Sequence, residues 1–132
     1  DTDKEYKIVV RNLDAGQNIW LRLNNDSTAD KYGRQYLWNS SGTITAARGT
    51  LSYFYLSEKL GLGITTLLTP IGLIKTICSD MATYSSGTTI SDYYAHGMSF
   101  NSTENITSLD FLLATGNFTA GTRISVYARR SN

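Results

Sequence analysis

The sequence predicts an all-β protein, an antiparallel β-sandwich of about eight strands in a jelly-roll-like arrangement. Strand-forming residues are abundant, with nine Tyr among 132 residues, and Pro occurs only once. Runs of strong helix formers are nearly absent. Polar and apolar residues alternate in many short segments, most clearly over residues 122–128, where Ile124 and Val126 alternate with Arg123 and Tyr127. Gly, Asn, Asp and Ser collect between these segments, as they do in turns.

The chain opens with a predicted hairpin. Residues 6–13 form the first strand, residues 14–17 a turn, and residues 18–23 the returning strand. In the returning strand the apolar side chains share one face, at Ile19, Leu21 and Leu23. Trp20 and Arg22 fall on the other face, because successive side chains of a strand point to opposite sides.

The next part of the chain predicts two aromatic-rich strands. Residues 24–30 are a polar loop that leads into a strand over residues 32–38, and residues 39–42 form a turn. Residues 51–56 carry apolar or aromatic side chains on both alternating sets of positions. We therefore expect this strand to be buried on both faces.

The second half continues the pattern of strands and turns. Residues 64–68 and 73–81 form two strands, and residues 88–94 form another after a turn at residues 85–87. A loop with His96 and Gly97 is expected next. The closing pair of strands lies over residues 106–113 and 122–128, and we expect the last strand to be central to the fold, with the end of the chain held in a sheet.

Composition sets further limits. A single domain over residues 1–132 is expected, with residues 1–5 as a loosely ordered arm. The net charge of +1 argues against a nucleic-acid-binding protein. Gly and Pro interrupt the apolar stretch at residues 60–77, which argues against a membrane-spanning helix. Cys78 is the only cysteine, so no intrachain disulfide is possible, and its apolar surroundings predict a buried thiol.

The sequence gives little sign of catalysis. His96 is the only histidine, and no neighbouring residue is fixed as its partner. Nucleophile-elbow, paired-carboxylate and metalloprotease motifs are missing. We therefore predict that the protein is not an enzyme, and we predict neither a cofactor nor a metal site.

Aromatic residues are the candidate contact residues. Tyr36, Trp38, Tyr93 and Tyr94 belong to a set of tyrosines and tryptophans larger than a small core needs. Exposed aromatic rings bind protein partners well because they bury a large area and lose few rotamers, and they also stack on sugar rings. The alternative interpretation is that half or more of them pack inside the sandwich.

Several segments, taken in order, resemble one protein family. They are the Tyr-led strand at residues 6–10, the Leu-Arg-Leu-Asn-Asn-Asp sequence at residues 21–26, Lys75-Thr76, Ile-Thr-Ser-Leu at residues 106–109, and residues 116–127. This order is similar to a β-sandwich domain of tailed-bacteriophage virion proteins, which typically ends in Tyr-Gly. Here Ala128 stands in place of that glycine and is followed by Arg129 and Arg130, which we consider candidate contact residues.

The resemblance implies a non-enzymatic structural protein of the virion. Members of the family occur as capsid-decoration, minor-tail and tail-fibre components, so the expected partners are other virion proteins of the capsid or tail. A homo-oligomer is also implied, with a trimer as one arrangement. The alternative function is a carbohydrate- or receptor-binding module of a tail fibre or tip that binds a host surface glycan.

Overall fold

A computed structural model describes residues 4–13, 16–84 and 89–130. Within these ranges the chain forms ten strands in two antiparallel sheets, which confirms the all-β sandwich. The strands are β1 (Lys4–Asn12), β2 (Ile19–Leu23), β3 (Tyr32–Ser40), β4 (Thr43–Leu51), β5 (Phe54–Ser57), β6 (Gly61–Thr69), β7 (Lys75–Tyr84), β8 (Ile90–Phe100), β9 (Leu109–Leu113) and β10 (Arg123–Arg130). None of the described segments is a helix long and apolar enough to cross a membrane.

The two sheets differ greatly in size. The large sheet has seven strands in the order β10-β1-β6-β7-β8-β3-β4, and the small sheet has three in the order β5-β2-β9. We call the face of the large sheet that packs against the small sheet the inner face, and the opposite one the outer face. The core lies between the sheets and joins Ile8 and Val10 of β1 to Leu21 of β2 and Phe54 of β5.

Alternation along the strands explains this division. In β7, residues Lys75, Ile77, Ser79 and Met81 are buried on the inner face, and the residues between them are exposed on the outer face. The small sheet packs closely at its β5 edge. A side chain at Gly63 of β6 would collide with the carbonyl oxygen of Leu56, so this approach requires glycine.

A tight turn connects β3 to β4. Ser41 and Gly42 both have positive φ angles, 51° and 84°, as a type I′ hairpin turn requires. The predicted turn at residues 39–42 is thus present, but the strand after it was not predicted. β4 lacks an apolar face, since Thr43–Thr50 are all exposed, and so it gives no alternating hydrophobic signal. β4 ends at Leu51 and β5 starts at Phe54, which divides the strand predicted over residues 51–56.

The prediction that the last strand is central was wrong. Among the described strands, β10 lies at the edge of the sheet and pairs only with β1. Its alternation is regular, but Val126 and Tyr127 on opposite faces are 42% and 61% exposed. A regular pattern indicates a strand without indicating how many neighbours it has.

Three other predictions need correction. His96 and Gly97 lie inside β8 and not in a loop, because β8 continues to Phe100. Cys78 is exposed, since it falls on the outer face of β7 between buried neighbours. The strand predicted over residues 106–113 begins only at Leu109.

The predicted N-terminal arm and two predicted turns lie wholly or partly outside the described residues. Lys4 and Glu5 belong to β1, and residues 1–3 of the predicted arm lie outside the described residues. The predicted turn at residues 85–87 also lies outside them, as do Asp14 and Ala15 of the predicted turn at residues 14–17.

Candidate functional site

Strand alternation separates the predicted aromatic residues into two groups. Tyr36 and Trp38 share the inner face of β3 with the buried Tyr32, and Tyr94 lies beside them on β8, opposite Trp38. Tyr93 points to the outer face, where it is 47% exposed and its hydroxyl donates to a carboxylate oxygen of Asp80 at 2.7 Å. The structure therefore brings three of these four residues together and places the fourth on the other side of the sheet.

The inner-face group contains a parallel pair of rings. Trp38 and Tyr94 have ring centroids 6.1 Å apart and ring planes within 2° of each other. The indole Nε1 of Trp38 donates to Asp92 Oδ1 at 3.3 Å. Hydrogen bonds from Ser40, and then from Trp38, hold the pKa of Asp92 below its usual value. Both rings are half-buried, so the site offers partial ring faces beside an ionised carboxylate.

Tyr94 also connects this pair to Glu58. Burial raises the pKa of Glu58, and a hydrogen bond with Tyr94 partly opposes that rise. Burial likewise raises the pKa of Tyr94, with the nearby Glu58 charge as the next cause. The inner-face group thus contains two carboxyl groups with opposite pKa shifts, on β8 and just after β5.

An arginine and a histidine occupy the deeper part of the group. The guanidinium carbon of Arg34 lies 4.3 Å from the ring centre of Tyr36 and 4.9 Å from that of Tyr55. His96 is only 4% exposed, and neither of its ring nitrogens has a hydrogen-bond partner among the described residues. Burial, and then the Arg34 charge, lower the pKa of His96 to about 4. The imidazole is therefore neutral at pH 7 and closed off from solvent.

The outer face contains a broad depression that was not predicted from the sequence. Two adjoining concavities of about 730 and 710 Å³ share four lining residues, Gln35, Arg48, Cys78 and Gly97. We call the two together the outer trough. Its floor is formed by small residues of β3 and β8, namely Gly33, Ala95, Gly97 and Ser99. Its walls are β4 and β7.

Apolar side chains lie on the outer face around the trough. Leu37 of β3 is 53% exposed, and Ile64 and Leu68 of β6 are 41% and 44% exposed. Arg48 and Asp80 line opposite walls, and Arg48 forms no ion pair with any described residue. The surface therefore combines apolar contacts with one charge of each sign.

The basic residues near the C-terminus belong to the edge strand β10. Arg129 has an 80% exposed side chain and lies 3.6 Å from a carboxylate oxygen of Glu5. The backbone of Arg130 pairs with Lys4, and the Arg130 side chain lies outside the described structure. Arg129 is consequently on the outer face, remote from the aromatic group.

Like charges face each other on the same edge. Arg11 of β1 lies directly opposite Arg123 of β10, and both are exposed. Neither has an ion pair among the described residues, and the same holds for Lys7. Such a pair is mildly destabilising, and it gives this edge of the outer face a positive charge.

No family model, no curated protein and no solved structure matches this chain. In the described part of the chain, no group of three or more His, Cys, Asp or Glu side chains could hold a metal ion.

The sequence contained one signal for the outer trough. Small residues recur at every second position of β8, at Ala95, Gly97 and Ser99. That spacing puts them on one face of a strand, but the expected loop at His96 concealed it. Gly33 could not be placed beside them without the pairing of β3 with β8, in which Gly33 lies opposite Ser99.

Proposed function

We propose that this chain is a non-enzymatic structural protein of a tailed-bacteriophage virion, which docks on other virion proteins of the capsid or tail. The observation that supports this best is the outer face of the large sheet, which the small sheet leaves uncovered. Leu37, Ile64 and Leu68 are exposed there around the outer trough. Sheets normally bury an apolar face against another layer, so this face suits a protein partner.

The state of the only histidine agrees with a non-enzymatic role. His96 is buried, neutral at pH 7 and enclosed by Tyr36, Tyr55 and Tyr94, whose ring centroids lie 5.4 to 6.1 Å from its own. A general base must reach the proton that it removes. An imidazole in this position serves packing rather than proton transfer.

The proposal is tested by incorporation into particles. We expect the chain to be present in purified virions, and Leu37→Asp combined with Ile64→Asp to reduce its incorporation at least about tenfold, because two carboxylates would be desolvated in the interface. Phe118→Asp is the matched control, since Phe118 is similarly exposed at 44% but lies in the connection between β9 and β10. Absence from virions, or equal loss with the control, would contradict the proposal.

A second candidate function is recognition of a host surface glycan by the Trp38–Tyr94 pair. The parallel rings and the adjacent Asp92 carboxylate favour it, because sugars stack their apolar faces on aromatic rings while carboxylates accept their hydroxyl hydrogen bonds. A glycan array with the isolated chain tests this function. We expect Trp38→Ala to abolish binding and Trp38→Phe to retain part of it, and an array without any binding glycan would exclude the function.

A further inference from the structure

Among the described residues, β4 is an edge strand: β3 lies on one side of it and no strand lies on the other. Its nine residues pair with β3 alone, and an extended strand of that length spans about 30 Å. All side chains from Thr43 to Thr50 are exposed, on the inner and the outer face alike. The strand thus presents a long row of backbone N–H and C=O groups that a further strand can pair with.

β4 also lacks the features that normally prevent such pairing. Arg48 is its only charged residue, it contains no proline, and β3 and β4 pair without a bulge. Natural sheets protect exposed edges with charged residues, prolines, bulges or short strands. An unprotected edge of this length is therefore available for pairing with a strand of another chain.

We propose that β4 pairs antiparallel with β4 of a second copy of this chain, about a two-fold axis at Ala47. This inference rests on the proposed structural role, because it adds a contact between copies to the docking of the outer face. The register centred on Ala47 pairs all nine residues. It sets Arg48 opposite Ala46 and Ile44 opposite Thr50 of the other copy, so that no charged residues face each other directly.

Charge favours pairing of β4 with β4 of the second copy over pairing with its β10, the other edge strand of the same sheet. β10 carries Arg123, Arg129 and Arg130 within eight residues. Pairing β4 with β10 of another copy would bring these cations towards Arg48. Self-pairing of β4 keeps those arginines away from Arg48 and brings only the two Arg48 residues together, at diagonal positions about 7 to 8 Å apart. Small residues at the axis, Ala46 and Ala47, let the two strands approach without steric conflict.

A disulfide test measures the register directly. Directly opposed residues of antiparallel strands have Cα atoms about 4.5 to 5.5 Å apart, which falls within the range that a disulfide spans. We expect Ala47→Cys, in a Cys78→Ser background, to form a covalent dimer under mild oxidation. The matched control is Ser125→Cys of β10 in the same background, which we expect to stay monomeric. Failure of Ala47→Cys to link, or equal linking of the control, would overturn the proposal.

A charge test covers the non-covalent dimer. Sedimentation of the unaltered chain between about 1 µM and 1 mM, a range that includes weak interfaces, should reveal a dimer. Ala47→Lys places two ammonium groups opposite each other and should weaken association at least about tenfold, whereas Val126→Lys of β10 should not. A monomer throughout, or a trimer as the only oligomer, would overturn the proposal.

Different results would contradict the proposed virion role and the proposed contact between copies. Ala47 belongs to the β4 wall of the outer trough, but it lies opposite Tyr36, so its side chain is on the inner face. An Ala47→Lys variant that stays monomeric and still enters virions supports the contact between copies and leaves docking through the outer face intact. A β4 dimer that is absent from virions contradicts the virion role and leaves the contact itself standing.

Discussion

The two edge strands of the seven-stranded sheet, β4 and β10, differ in their charge and in how far their side chains are buried. β10 is protected by arginines, and its Ile124 packs against the core from the inner face. β4 is nearly neutral, and its side chains from Thr43 to Thr50 are exposed on both faces. One edge therefore contributes to the stability of the single chain, and the other contributes little to it.

The features that stabilise the single chain and those that favour the addition of another strand are therefore separated along the sheet. At the β10 edge, Arg11 and Arg123 remain opposite each other despite their mutual repulsion, which discourages another strand from adding there. At the β4 edge nothing comparable opposes addition. The part of the sheet near β4 also holds the buried His96 and the half-buried Arg34, whereas β1 lies over the apolar core.

The largest expected effect is a loss of stability in acid, and its source is His96, in the part of the sheet near β4. The pKa of His96 is lowered from 6.5 to about 4, so the native state binds a proton more weakly than the unfolded state does. The contribution of His96 to stability is therefore fully present above pH 6.5 and is lost as the pH decreases towards 4, by up to about 3 kcal/mol. Denaturant titrations at several pH values should show this slope, and His96→Gln should flatten it.

The control for this experiment is the carboxyl group of Asp26. Its pKa is lowered to about 2, chiefly by the hydrogen bond from Lys31, so its contribution is lost only below pH 4. Asp26→Asn should consequently leave the slope between pH 6.5 and 4 unchanged. An unaltered slope in His96→Gln would show that the histidine does not couple folding to pH.

The next expected effect is a difference in stability between the two edges when an aspartate is introduced into each. Ile124→Asp should lower the free energy of unfolding by about 2 kcal/mol, because a half-buried apolar contact is replaced by a carboxylate. Ala47→Asp in β4 should change it by no more than about 0.5 kcal/mol. Unfolding in urea, at a concentration where the chain is monomeric, measures both. Equal losses would mean that β4 contributes to stability as much as β10 does.

The smallest effect concerns the repulsion at the β10 edge. Arg123→Glu converts the pair with Arg11 into an attractive one and should stabilise the chain by about 0.5 kcal/mol at low salt. The gain should vanish at about 1 M salt, where charges are screened within about 3 Å. Arg48→Glu is the control, because Arg48 lies opposite the neutral Gln35. A similar gain in the control would assign the effect to net charge rather than to this pair.

The fold was largely predictable wherever one face of a strand is buried. β2 and β7 alternate visibly because the core requires it, with Leu21 and Ile77 at buried positions. β4 was not predicted, because none of its positions from Thr43 to Thr50 is buried and its sequence therefore shows no hydrophobic alternation. The jelly-roll-like connectivity stays a prediction.

The candidate sites were less predictable, because they depend on register. Tyr93 and Tyr94 are neighbours in sequence but lie on opposite faces of β8, and only the pairing of Trp38 with Tyr94 identifies the inner-face group. The outer trough depends on Gly33 and Gly97 from strands far apart in the chain. A single sequence indicates which side chains share a strand face, but it does not indicate which strands are neighbours.

Cys78 provides a practical means of observing these surfaces. It is the only thiol in the sequence, it is exposed, and it lines both concavities of the outer trough. The rate at which a thiol reagent labels the unaltered protein therefore measures how accessible Cys78 is on that face. A partner seated in the trough slows the labelling, whereas a copy added at β4 leaves the thiol open, so one kinetic measurement on the native chain distinguishes the two contacts.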